Sequence, residues 1–169
     1  KIKEGPFAGT EGEGPEWMTP LLYGAFLGNK DYDVALYALE LTNRHGLDGM
    51  TAGLYIGWLM HCWQEGLITE KDTGGLNLEW GNREAIIGLI EQMARKEGLG
   101  GMVTDGSDEA IKRLGPETAQ YLYRCGRGLT QEPVNDRILR ATCLGDQTSN
   151  RGNDHLRGRC NLEFMGLPA

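Results

Sequence analysis

Apolar residues recur along this chain at helical spacing, and strict strand-like alternation is hard to find. The longest apolar run is residues 54–63, Leu-Tyr-Ile-Gly-Trp-Leu-Met-His-Cys-Trp. A helix that is apolar on every side has to be covered on every side. The run therefore predicts a central buried helix beginning at Thr51 and ending near Gly66. It is too short to cross a bilayer, which takes about 20 apolar residues. His61, inside this run, is expected as a hydrogen-bonded core residue.

Shorter helical patterns flank it. Pro20 suits a first helical turn, and residues 21–27 supply a short apolar segment stopped by Gly28-Asn29. Asp31 or Asp33 then caps a helix running to about His45, with Val34, Ala35, Ala38 and Leu41 on one face. Gly46 is the natural left-handed stop. Beyond a polar connection through Gly74-Gly75, Asn82 caps an amphipathic helix striped by Ile86, Leu89, Ile90 and Met93. Glu91 and Arg95 pair on its outer face, and Gly98 stops it. Ser107 caps a last short helix to Leu114, closed by Gly115-Pro116.

From Pro116 onward the helical period fades. These patterns predict an all-α fold, a multi-helix orthogonal bundle around the buried helix. They divide the chain into a helical domain over 1–115, whose residues 1–20 form a Gly/Glu loop, and an irregular Arg-rich segment over 116–169. That segment is expected to pack on a ligand, on a further domain of a longer polypeptide, or on both.

Composition changes this picture in three places. The 26 glycines flank periodic segments, so they read as helix stops and turns. The net charge of −7 argues against a nucleic-acid or anionic-membrane binder. That charge is uneven: residues 116–169 carry seven Arg, no Lys and six acids, leaving ten bases against eighteen acids in 1–115. Arginine without lysine suits bidentate pairing to carboxylates or phosphates. The four cysteines, Cys62, Cys125, Cys143 and Cys160, are too far apart for a zinc or iron–sulfur loop. They read as reduced thiols of a cytoplasmic protein, with Cys62 a small buried hydrophobe. No metal-ligand set is expected within the chain itself.

Candidate chemistry concentrates at Asn43-Arg44-His45-Gly46-Leu47-Asp48. A carboxylate at a helix–helix turn can accept two hydrogen bonds from the amino and ring N–H groups of a heterocycle. It can equally be a plain helix cap. The glycine run Gly9–Gly14 is not a phosphate loop, because Glu11 and Glu13 would repel phosphate and no Lys opens a following helix.

The order of short motifs adds a second line of inference. Glu11-Gly12-Glu13-Gly14-Pro15-Glu16 is followed by His45-Gly46-Leu47-Asp48, Thr51-Ala52-Gly53 and Leu78-Glu79-Trp80-Gly81-Asn82. Thr148-Ser149-Asn150-Arg151-Gly152 then precedes His155. From about Thr10 to Arg157 this order and spacing resembles the aldehyde:ferredoxin oxidoreductase family of tungsten or molybdenum pterin enzymes.

The resemblance implies a helical, cofactor-facing part of an oxidoreductase. The intact enzyme would carry a tungsten or molybdenum bis-pterin and a [4Fe–4S] cluster whose cysteines precede Lys1. The isolated chain would hold neither and would be inactive. The implied partners are the remaining domains of the parent and ferredoxin or another electron-transfer protein, with a homodimer left open. Asn43, Gly46, Leu47 and Asp48 fall on the family's pterin motif, with Asn43 where the family has Asp. Arg137 and Arg151 match its arginines, and His155 the histidine beside the metal, placed to move a proton.

Two departures stand out. Met18 replaces an acid near the metal, and Tyr37 and Glu40 occupy the positions of an iron-binding pair at a dimer contact, so no such iron is expected. A non-catalytic helical interaction module that keeps the fold is the alternative reading.

Overall fold

The computed structural model describes residues 1–124, 129–130, 137, 139–150 and 152. They carry helices and no strand, apart from an isolated antiparallel bridge between Arg124 and Thr130. The fold class is all-α. Contacts divide the chain into one unit over Lys1–Leu122 and another over Tyr123–Ala169.

The first unit is built on helix α3, Gly49–Gln64. Every residue from Ala52 to Met60 is buried, and Leu54, Ile56, Trp58, Leu59 and Met60 keep 2% or less of their surface in water. Each such side chain contributes roughly 1.5–3 kcal/mol on burial, so this run supplies much of the core. The helix begins two residues before the expected Thr51, because the Asp48 side chain accepts the Thr51 amide and serves as the cap.

His61 corrects one expectation. It lies in the last turn of α3, where the chain emerges from the core, and its side chain is 39% exposed. Its ring rests on Tyr121 at 4.4 Å between centroids and lies 4.0 Å from the Glu65 carboxylate.

Helix α1, Met18–Pro20, continues directly into a π-helical stretch, Leu21–Phe26. This wider coil lies against the Gly49-Gly53-Gly57 face of α3. A Cβ on Gly53 would come 2.5 Å from Leu22, and one on Gly57 would strike the Phe26 ring. Glycine is needed at both places for room. Helix α2, Tyr32–Arg44, is capped by Asp31, which accepts from the Asp33 and Val34 amides, and buries Val34, Ala35, Ala38 and Leu41.

Beyond α3 the polar connection contains one turn of helix, α4, Glu70–Thr73, opened by a reciprocal Thr69–Asp72 capping box. Asn82 caps α5, Arg83–Arg95, as its spacing predicts. The stop is not Gly98 but Lys96, in the left-handed region at φ 54°. Gly98 instead opens a short helix, α6, Gly98–Val103, folded back on α5 so closely that a Cβ at Gly101 would strike the Lys96 backbone.

Helix α7, Ser107–Leu114, begins at Ser107 and is preceded by Gly106, so Ser107 is a first helical residue and not a cap. A 3₁₀ turn, Pro116–Tyr121, then returns to the core, where the Trp58 indole donates to the Thr118 carbonyl at 2.8 Å. In the second unit, within the segment read as irregular, Arg140–Thr148 forms helix α8. No helix among the described residues is long and apolar enough to cross a membrane.

Two expectations follow from this packing. Gly53→Ala should destabilise the protein by about 1–3 kcal/mol, the usual cost of overpacking a core, read as a lower Tm. Cys62 is fully buried, and burial pushes its thiol up to about 12. It should alkylate at pH 8 only when the protein is unfolded, which peptide mapping after thiol labelling would show. Because the folded-state value is raised, its stabilising contribution is complete below the ordinary thiol range and is lost as pH climbs toward 12.

Candidate functional site at the turn between the second and third helices

The turn from α2 to α3 is fixed by backbone hydrogen bonds. The Leu47 amide donates to the Thr42 carbonyl at 2.9 Å and the Gly46 amide to that of Asn43 at 3.1 Å. These two bonds form a Schellman stop, with Gly46 in the left-handed region at φ 66°. The chain then enters α3 through Asp48, whose Oδ1 accepts the Thr51 amide at 2.6 Å. Four of the sequence-predicted residues, Asn43, Gly46, Leu47 and Asp48, thus share one tight turn, and all but Leu47 are exposed.

Two polar groups of this turn keep hydrogen-bonding capacity. Asp48 has no cation partner among the described residues, and its second oxygen is not used by the cap. The Asn43 amide likewise has no side-chain partner among them. Beside the carboxylate lies a cavity of about 230 Å³ lined by Leu47, Asp48, Thr51, Ala52, Tyr55, Met93, Val103, Thr104 and Gly106. It has room for a ring or a side chain and is smaller than a whole small-molecule site.

A larger, open hollow of about 630 Å³ lies between Gly28–Asp31 and Glu79–Glu84. Its lining mixes Lys30 and Arg83 with Asp31, Glu79 and Glu84, so no single charge converges there. The Leu78–Asn82 motif on its rim is accounted for structurally. Leu78 is buried, Asn82 caps α5, and a Cβ on Gly81 would meet the Gly28 carbonyl at 2.6 Å.

The remaining expected site residues are not brought to this turn by anything described. Arg137 is an exposed turn residue of the second unit. Arg151 and His155 lie outside the described residues. Among the described residues no group of three or more His, Cys, Asp or Glu is placed to hold a metal.

Two nearby residues escaped the sequence reading. Tyr23, within a segment read as merely apolar, donates its hydroxyl to the Gly49 carbonyl at 2.8 Å. Burial raises its phenol above the ordinary range, Thr42 partly offsets this, and the Asp48 charge adds to the rise. Thr104 reaches the cavity from the end of α6, a helix that the sequence pattern hides.

Comparison with known proteins identifies the family. The family described as aldehyde ferredoxin oxidoreductase, domains 2 and 3, matches residues 1–168. The chain belongs to this family. A tungsten-containing aldehyde ferredoxin oxidoreductase of Pyrococcus abyssi is 30% identical over 164 residues, covering 94% of this chain and 26% of the relative. That of Pyrococcus furiosus is 29% identical over 161 residues, with the same coverage.

A third relative, the WOR-like subunit of an aliphatic sulfonate oxidoreductase from Pyrococcus furiosus, is 27% identical over 113 residues, 67% of this chain and 18% of that one. The chain thus spans about a quarter of the length of the aldehyde oxidoreductases it matches. Among solved structures, the active-site complex BamBC of benzoyl coenzyme A reductase superposes with a TM-score of 0.64 at 21% identity. That match covers 82% of this chain and 22% of the other, and it supports the fold.

Proposed function

We propose that this chain is the helical, cofactor-facing part of a tungsten- or molybdenum-pterin oxidoreductase, and that its α2–α3 turn grips the pterin. The observation carrying this reading is the Asp48 carboxylate, exposed, without a cation partner among the described residues, and held at a tight glycine turn beside a small cavity. One oxygen fixes the start of α3, which leaves the other for a donor outside the chain. Pterin edges present such donors in an amino group and a ring N–H, and a carboxylate accepts them strongly. Asn43 would add an uncharged polar contact, and the open face above Gly46 admits a flat ring.

The metal–pterin centre, when bound, supplies two-electron redox chemistry. The chain's own share is to orient that centre through Asp48, Asn43 and the Gly46-Leu47 backbone, with Arg137 and Arg151 pairing its anionic groups. His155 would exchange the substrate proton through its imidazole. The [4Fe–4S] cluster, the remaining domains and an electron-transfer partner of the ferredoxin kind complete the working enzyme, an aldehyde:ferredoxin oxidoreductase-like oxidoreductase whose substrate the departures at Met18 and Asn43 leave open.

One observation favours the alternative, a helical module without catalysis. Met18, where the family has an acid, is only 3% exposed and packs in the core. An ionised acid there would be buried at considerable cost.

Two experiments test the reading in the full-length protein. Asp48→Ala should cut pterin and metal content sharply, and Asn43→Asp should raise it or leave it unchanged, by metal analysis and pterin fluorescence. Full cofactor content in Asp48→Ala would leave Asp48 a cap alone, a role worth about 1 kcal/mol. His155→Ala should lower turnover by about 10²–10⁴-fold with metal content intact, the usual range for acid–base help. Unchanged turnover would move the proton chemistry elsewhere and leave the segment a clamp.

A further inference from the structure

We propose that Tyr23 is a positioning residue for the carboxylate turn: its buried hydroxyl holds the first residue of α3 and so sets the direction in which Asp48 faces. This rests on the reading of Asp48 as a pterin contact. The geometry is specific. Tyr23 is 1% exposed, and its hydroxyl donates to the carbonyl of Gly49, the residue directly after Asp48, at 2.8 Å. Thr42, fully buried in the last turns of α2, stands beside the phenol and donates its own hydroxyl to the Leu39 carbonyl at 2.7 Å. One side chain therefore touches the end of α2 and the start of α3, the two walls of the turn.

The base of this side chain is itself fixed. Asn29, 8% exposed, donates to the Tyr23 carbonyl at 3.0 Å and to the Asp31 carbonyl at 2.9 Å. On either side of Tyr23, Leu22 fits against Gly53 and Phe26 against Gly57, so the π-helical stretch cannot slide along α3. Wide helical turns of this kind are uncommon and recur beside functional sites.

A buried hydroxyl is also costly unless bonded, and phenylalanine would fill the same volume without that demand. The Gly49 carbonyl does not need the phenol for its own satisfaction, since in an α-helix it accepts the amide four residues on. What the hydroxyl adds is registry between the π-helical stretch and the turn.

The test uses the full-length protein with Tyr23→Phe, Asp48→Ala and, as a control for simple destabilisation, Ile86→Val in the buried face of α5. Amide exchange is followed at Thr51, whose N–H is held by Asp48, together with pterin retained after mild denaturant. Tyr23→Phe should speed Thr51 exchange about fivefold to tenfold, the ratio expected for one lost buried hydrogen bond, and should release pterin faster by a similar factor. Ile86→Val, compared at matched Tm loss, should do neither. Asn29→Ala, which leaves the phenol and removes the bond that anchors the Tyr23 carbonyl, is expected to give the same two shifts and serves if Tyr23→Phe does not accumulate.

Wild-type Thr51 exchange or wild-type pterin retention in these variants, with cofactor lost in Asp48→Ala, overturns the positioning role alone. Full cofactor in Asp48→Ala overturns the reading beneath it and this proposal with it.

Discussion

The close approach of the π-helical stretch to the glycine face of α3 is the constraint on which the first unit depends. Gly53 and Gly57 have no room for a methyl group, so Leu22 and Phe26 sit against backbone where side chains would otherwise stand. That contact brings the N-terminal part of the chain onto the central helix, and it sets the level at which Tyr23 meets Gly49. The turn bearing Asp48 is thus fixed from behind by packing before any ligand is considered. Interiors packed to this density transmit small shifts and do not absorb them, so a methyl group two turns away can be felt at the carboxylate.

The same turn divides its polar capacity. The Gly46 and Leu47 amides are taken up by the Schellman bonds, and one oxygen of the Asp48 carboxylate satisfies the helix start. The residue as a whole is exposed. The cap role of Asp48 and the recognition role proposed for it lie on neighbouring atoms of one carboxylate. For the same reason, removing the whole side chain tests both roles together, and separating them needs a local probe of the cap.

Much of the fold was legible because apolar spacing and capping residues agree. The buried character of α3, the faces of α2 and α5, and the caps at Asp31 and Asn82 all follow from residue types with one strong local preference. What escaped did so for physical reasons. Three of the six residues of α6 are glycine, so no propensity marks it, yet those glycines are what let it lie against α5. Lys96 takes a left-handed stop that sequence assigns to the nearby glycine. His61 looked buried because its neighbours in sequence are, but the helix end lifts it out. At the candidate site, the turn was readable from Gly46 and Asp48, while Tyr23 was hidden within an apolar run. Its hydroxyl finds a partner 26 residues away, and no local pattern records that.

Gly46 shows what kind of constraint a short motif can encode. A Cβ built there would meet nothing within 4 Å, so space is not what excludes other residues. The exclusion comes from handedness, since φ of 66° suits the mirror image of an ordinary amino acid. A D-alanine placed at this position by chemical ligation would suit the torsion. It would also narrow the unfolded ensemble that glycine leaves broad. The glycine of this motif is thus an achiral stand-in for a residue that ribosomal synthesis does not supply.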